Sequence, residues 1–164
     1  MTEQDKEKEY ENAIQEYGGI ITGICYYFSS NTEEFKDLRQ EVFYHIWKGW
    51  DKFRKDCKLS TWIYRVCFNT CVSYKRKDYK RQNTISIEKI LNIPDIHDSS
   101  EIDKYNTMHS LIQKLNFQDR ALILLWLDEK TYDEIAELMG LTRNNVAVKL
   151  LRIKEKLKIL AGNE

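Results

Sequence analysis

The chain has 164 residues, 42% of them hydrophobic and 32% charged, with a single proline and a formal net charge of zero. That size and composition suit one globular domain or two small ones. No apolar run approaches the roughly 20 residues that a bilayer-spanning helix needs, and the charged opening MTEQDKEKEYEN is unlike a secretory signal, so a cytoplasmic protein without membrane insertion is expected.

From about Asp5 to Phe28, Tyr10, Ile14, Tyr17, Ile20, Ile21 and Ile24 recur every three or four residues, which predicts a helix. Gly18 and Gly19 weaken it and suggest a kink or a close helix contact, and the first charged residues are expected to fray. Ser30 and Asn31, with Glu33 and Glu34 three residues on, open a second helix to about Trp50. Leu38, Val42, Phe43, Ile46, Trp47 and Trp50 form its apolar side. Asp37, Gln40, Glu41, Tyr44 and Lys48 are left on the other, a solvated face by default and a partner-docking stripe as the alternative.

Zero net charge is an average over opposed blocks: −5 over residues 1–53, +7 over 54–81, −3 over 82–119 and +1 over 120–164. In the +7 block, DKFRKDCKLSTWIYRVCFNTCVSYKRKDYKR, aromatic residues interleave with cations. Ser60 or Thr61 is expected to cap a helix that holds Trp62, Ile63, Val66, Cys67, Thr70 and Cys71 toward a core. Arg54, Lys55 and Lys58 fall in the loop before it, and Arg65, Asn69, Ser73, Arg76 and Lys77 on its accessible side. Cations that track a backbone, beside rings on which bases stack or are flipped, suit single-stranded nucleic acid. The alternative is a small helical core in which Trp62, Tyr64, Phe68 and Tyr74 are buried and the cations snorkel. The four cysteines, at 25, 57, 67 and 71, make no CxxC pair and have no neighbouring histidines, so neither a zinc site nor a disulfide framework is expected, nor any metal or other cofactor. Cys67 and Cys71, one helical turn apart, read as small residues of a packed face.

Residues 82–100 are polar, contain the one proline, Pro94, and lack sustained periodicity. They read as a linker with one short turn at Ile87 to Leu91, and a domain boundary belongs there. Ser100 then starts a helix with Ile102, Tyr105, Met108, Ile112 and Leu115 at helical spacing, and Asn116 with Asp119 caps another, ALILLWL, apolar nearly all round and therefore buried. The last stretch, TYDEIAELMGLTRNNVAVKLLRIKEKLKIL, reads as a helix-turn-helix. Thr131 and Glu134 make a capping box, Ile135, Ala136 and Met139 face inward, and Gly140 supplies the positive-φ residue that ends the helix. A second helix follows from Thr142, with Leu141 and Val146 filling the corner.

Counted at about 100° per residue, Val146, Leu150, Ile153 and Leu157 share one stripe of that helix. Asn144, Asn145, Val148, Leu151 and Arg152 lie opposite, with Ala147 and Lys149 at the margins. Asparagine can read adenine, valine and alanine can touch thymine methyls, and arginine or lysine can reach guanine or phosphate, so this face suits the major groove. Thr142 and Arg143 belong to its leading end, and six Lys/Arg against Glu155 between Thr142 and Leu160 favour phosphate contact.

With those residues in place the chain resembles the extracytoplasmic-function sigma factors of bacterial RNA polymerase, in the sigma-70 family. DLRQEVFYHIWKGWDKF resembles the region that binds the polymerase clamp, STWIYRVCFNTCVSYKRK the helix that recognises the melted minus-10 element, and LNFQDRALILLWLDEKTYDEIAELMGLTRNNV the minus-35-reading domain. The resemblance implies an all-α, two-domain subunit that binds core RNA polymerase, directs it to specific promoters, assists strand opening, and is held by a partner anti-sigma protein. On that reading residues 5–80 are the region 2-like domain, 81–100 a flexible linker and 101–164 a four-helix, region 4-like helix-turn-helix domain.

Asp37, Gln40, Glu41, Tyr44 and Lys48, together with Leu38, become the polymerase contact. Arg54, Lys55, Lys58, Trp62, Arg65, Asn69, Ser73, Arg76 and Lys77 become the minus-10 contact. Thr142, Arg143, Asn144, Asn145, Ala147, Val148, Lys149 and Arg152 become the minus-35 contact. The sequence departs from the family pattern where Asn116 or Phe117 replaces a common proline, Ala147 a lysine and Ser73 an aspartate. The rival reading is a stand-alone helix-turn-helix regulator that binds a palindromic operator as a dimer. No nucleophile-base set and no carboxylate cluster with metal spacing marks the chain as an enzyme.

Overall fold

The computed structural model describes residues 2–82 and 107–162, with the backbone alone for 78–82. Every regular element among the described residues is helical: α1 Glu3–Phe28, α2 Thr32–Gly49, a 3-10 turn Trp50–Lys52, α3 Leu59–Gln82, α4 Thr107–Gln113, α5 Phe117–Leu127, α6 Tyr132–Met139 and α7 Arg143–Gly162. The chain divides into two units, Met1–Tyr74 and Lys75–Glu164, with the cut inside α3. The expected linker beyond Gln82, the turn at Ile87 to Leu91 and the start of the next helix from Ser100 to Asn106 lie outside the described residues.

In the first unit α1 starts earlier than its apolar period suggests and is helical from Glu3, through the charged residues expected to fray. The Thr2 hydroxyl accepts from the Asp5 N–H at 3.2 Å while the Thr2 N–H donates to the Asp5 carboxylate at 3.1 Å, a complete capping box. Those bonds also hold the Asp5 carboxyl below its ordinary pKa. Gly18 and Gly19 do not interrupt α1, which continues through both, and they mark no close contact, since an added Cβ at either would meet nothing within 4 Å.

The next helix opens as expected, with the Asn31 side chain accepting from the Glu34 N–H at 2.8 Å. The pair α1 and α2 is pinned at its far end by Tyr10, whose ring meets Trp47 edge-on at 4.9 Å and whose hydroxyl donates to the Phe43 carbonyl at 3.2 Å. Lys6 adds a 2.8 Å ion pair with Asp51 and sits 4.4 Å over the Trp47 ring. Ile21, Cys25 and Phe28 of α1, Leu38, Val42 and Ile46 of α2, and Ile63, Cys67 and Cys71 of α3 are each at most 2% exposed. Each large aliphatic or aromatic member stabilises the unit by about 1.5–3 kcal/mol relative to exposure.

Neither Ser60 nor Thr61 caps α3. The helix begins at Leu59, and the Trp62 N–H donates to the Lys58 carbonyl at 3.1 Å, so Lys58 holds the cap position and the two hydroxyl residues lie in the first turn. Lys75, read only as part of a basic run, is 2% exposed.

In the second unit α5 is the central element and packs on α6 and α7. Ala121, Leu122, Ile123, Leu124 and Leu125 are buried, as its all-round apolar character requires. Asn116 caps it by accepting from the Asp119 N–H at 2.9 Å. Arg120 is fully buried, and its guanidinium donates to the carbonyls of Gln113 at 3.0 Å and Leu115 at 2.9 Å. It thereby satisfies acceptors at and just beyond the end of α4. Met108 is 46% exposed and leaves the apolar face expected for that helix to Leu111, Ile112 and Leu115.

Candidate nucleic-acid and partner interfaces

The corner between α6 and α7 forms from local signals alone. Thr131 and Glu134 make both halves of their capping box, with the Glu134 N–H donating to the Thr131 hydroxyl at 3.1 Å. Gly140 ends α6 at φ 67°, in the left-handed region, and the Leu141 N–H returns to the Ala136 carbonyl at 3.0 Å. Thr142 then caps α7, its hydroxyl accepting from the Asn145 N–H at 3.2 Å. Ile135, Val146 and Leu150 are fully buried at the corner, and Ile153 continues their stripe at 2% exposure.

That anchoring fixes which side of α7 faces out. Arg143, Asn144, Asn145 and Arg152 are exposed beside Val148, and Ala147 is half-buried at the margin. Arg143 pairs with Asp133 across the corner at 3.6 Å, but both side chains stay about two-thirds or more in solvent, at 68% and 73%, so this pair contributes little and is free to exchange for a phosphate. Lys149 is half-buried and its ammonium donates to Gln118 at 3.5 Å, which sets it against α5 instead of projecting it from the face. The arrangement presents short amide side chains and an apolar contact on a rigid helix, with cations at its edges.

In the first unit the loop after the 3-10 turn carries Arg54, Lys55 and Lys58, all exposed, and Lys55 adopts φ 61°. Trp62 stands half-buried behind it. Phe53 lies 5.2 Å from the Trp62 ring in a tilted stack and Trp50 meets that ring edge-on at 6.0 Å. Gly49 permits this, since a Cβ there would come within 3.1 Å of the Trp62 ring. The expected set omits Gly49 and Phe53, whose support of Trp62 follows from a contact across the loop that no local sequence pattern records.

Along α3, Arg65 and Asn69 are exposed, Ser73 and Arg76 half-buried and Lys77 exposed, at helical intervals of three or four residues. Arg65 to Lys77 extends about 18 Å at 1.5 Å per residue, long enough to track several nucleotides. Of the rings read as either stacking platforms or core, Tyr64 is 3% exposed and belongs to the core, where it stacks on Phe68 at 6.2 Å.

The stripe on α2 is likewise sorted by burial. Asp37, Gln40, Tyr44 and Lys48 are exposed and Glu41 is half-buried, with the Lys48 ammonium 5.8 Å from the Tyr44 ring. Leu38 does not belong with them. At 1% exposure it packs under the stripe.

Among the described residues no group of three or more His, Cys, Asp or Glu could hold a metal ion. None of the four cysteines is in a disulfide, and only Cys57 is not buried. Burial pushes the Cys25 thiol up to about 12 against the opposing pull of Arg39, and raises Cys67 well above its ordinary value, with Cys25 adding to the effect. Both are packing residues.

Residues 13–81 match the family model of Sigma-70 region 2 and residues 105–157 that of Sigma-70, region 4. The chain is 30% identical over 155 residues to the RNA polymerase sigma factor YlaC of Bacillus subtilis, spanning 90% of this chain and 89% of that protein. It is 27% identical over 164 residues to the ECF RNA polymerase sigma factor SigW of the same species, spanning 91% and 87%. Among solved structures, the sigma factor RpoE from Bartonella quintana, crystallised in complex with the anti-sigma factor NepR, shares the fold with a TM-score of 0.72 at 19% identity, covering 94% of this chain and 98% of that one.

Proposed function

The chain belongs to the extracytoplasmic-function sigma factors of the sigma-70 family and is a promoter-directing transcription initiation factor; we propose how its residues divide that work. Residues 5–80 form the region 2 domain, 81–100 the linker and 101–164 the region 4 domain. Core RNA polymerase docks on the α2 stripe of Asp37, Gln40, Glu41, Tyr44 and Lys48, with Leu38 as its buried support. Promoter DNA is met twice, by α7 at the duplex minus-35 element and by the 54–58 loop with the outer face of α3 at the melted minus-10 strand. An anti-sigma protein, like the one bound to the Bartonella quintana relative, controls access to these surfaces. The protein acts in the cytoplasm, and no helix among the described residues is long and apolar enough to cross a membrane.

The observation that carries the division is the pairing of two unlike basic surfaces in one chain. α7 presents Asn144, Asn145 and Val148 on a rigid corner, suited to base edges in a duplex groove. The loop and α3 present Arg54, Lys55, Lys58, Arg65 and Asn69 around Trp62, suited to unpaired bases. An operator-binding regulator needs only the first. Unpairing a base costs a few kcal/mol, which contacts to the flipped or single-stranded base must offset, and the second surface supplies them without a catalytic group.

The test is reconstitution with core polymerase. Transcripts should start at defined promoters that core alone ignores, and the purified chain by itself should show no dimeric binding to a palindromic duplex. Tight dimeric operator binding without any effect on core would establish the regulator reading instead.

A further inference from the structure

A cleft of about 600 Å³ opens between α1 and the segment that follows α2, entirely within the first unit. Its floor is apolar, made by Ala13, the buried Trp50 and the half-buried Phe53. Its rim is mainly acidic: Glu9 and Glu16 project from α1 and Asp51 from the 3-10 turn, with Lys55 as the opposing charge. Asp51 is already paired with Lys6 at 2.8 Å, and among the described residues Glu16 accepts only from the hydroxyl of its neighbour Tyr17, so Glu9 and Glu16 are the carboxylates that an occupant's cations would meet. None of these residues belongs to the α2 stripe, and of the minus-10 set only Lys55 lines the cleft.

We propose that this cleft docks a basic, apolar peptide segment of a partner protein, its cations on Glu9 and Glu16 and its apolar side chains on Trp50 and Phe53. The volume is that of sites that enclose several side chains, and the aromatic floor favours aliphatic stems and cations alike. Glu9 and Glu16 are seven residues apart on one helix, about 10 Å along its axis. Two cations three residues apart in a polyproline II segment lie on one face and span nearly the same distance, about 9 Å. Charge argues against a nucleic-acid strand here, since the two α1 carboxylates face any phosphate that enters and residues 1–53 carry a net charge of −5. The docking is independent of the transcription reading, because it requires neither polymerase nor promoter.

Cys57 lines the cleft, whereas Cys25, Cys67 and Cys71 are fully buried, so one thiol of the folded chain reports on occupancy. Its alkylation by iodoacetamide, followed by mass spectrometry, is measured on the full chain with the capped tetrapeptide arginine-leucine-leucine-arginine and its glutamate-for-arginine counterpart. The arginine peptide should slow alkylation of Cys57 saturably and the glutamate peptide should not. In Glu9→Gln with Glu16→Gln, an exposed pair of changes that a helix tolerates, half-saturation should need about threefold to tenfold more peptide, as expected for the loss of two exposed ion pairs. Equal effects of the two peptides, or an unchanged half-saturation in the folded double variant, overturn the proposal. Protection by a single-stranded oligonucleotide where the arginine peptide gives none also overturns it.

Discussion

Replacing Gly140 with alanine perturbs one backbone torsion and little else. Gly140 lies at φ 67°, ψ 34° at the end of α6, and a Cβ built there meets no heavy atom within 4 Å. The cost is therefore conformational, about 1–2 kcal/mol for an L residue held in the left-handed region. Alanine returns about 0.4–1 kcal/mol by stiffening the unfolded chain, which leaves a net loss of roughly 0.8 kcal/mol at mid-range, within bounds of about 0–1.6 kcal/mol. Asparagine, which visits that region more readily, should lose less. Hydrogen exchange of the Leu141 amide, bonded to the Ala136 carbonyl at 3.0 Å, reads the corner directly. It should accelerate about twofold to tenfold in Gly140→Ala. Affinity for a minus-35 duplex should fall by no more than the same factor, because no base-facing side chain has changed. Unchanged exchange and unchanged melting would show that the corner is not held by its left-handed residue, and a loss several times larger would show a collision that the geometry does not contain.

Gln40→Ala combined with Glu41→Lys should weaken binding to core polymerase with helicity and thermal melting near wild type, and equal core affinity in the folded double variant would remove the α2 assignment. Asn144→Ala should relax base preference at one or two upstream positions, at about 1–3 kcal/mol per lost contact. Lys149→Ala should weaken all sequences alike and lower the salt slope by about one; a slope that does not move would mean that its bond to Gln118 keeps it from the phosphates. Burial raises the Asp119 carboxyl above its ordinary 3.8 while Lys156 and Lys149 oppose the shift. The stability this group contributes is complete below 3.8 and lost as pH rises through the raised value. Asp119→Asn should therefore exceed wild type in urea stability at pH 7 and match it in acid, and a margin that widens in acid would contradict the sign.

The C-terminal corner was legible because its determinants are local. A capping box, a positive-φ glycine and a buried stripe on α7 each show in a window of a few residues, and Thr131, Gly140 and Val146 adopt the roles those signals imply. The start of α1 carried the same kind of signal, Thr2 with Asp5, inside a charged run that reads as a tail. The start of α3 carried none, because Lys58 has no side chain suited to capping and the more suitable Ser60 and Thr61 fall two and three residues too late.

Long-range partners were the other blind spot. Arg120 is buried because two carbonyls at the end of α4 receive it, and the close approach of Gly49 to Trp62 depends on how the loop folds back. On α2 the period separated polar from apolar faces correctly, and Leu38 belongs to the buried one as its spacing with Val42 requires.

That one chain reads a promoter in two states, duplex through α7 and unpaired through α3, is tested most directly by open-complex formation with Arg65→Ala and Asn69→Ala on duplex and pre-melted templates. Both side chains are exposed on α3, so the variants should fold, dock polymerase and form the closed complex almost as wild type does. Open complex should fall on the duplex template. On the pre-melted one a variant that has lost base recognition should stay impaired, and one that has lost only nucleation should recover. Wild-type rate and extent of opening by both variants on the duplex promoter would reduce this face of α3 to a basic structural surface.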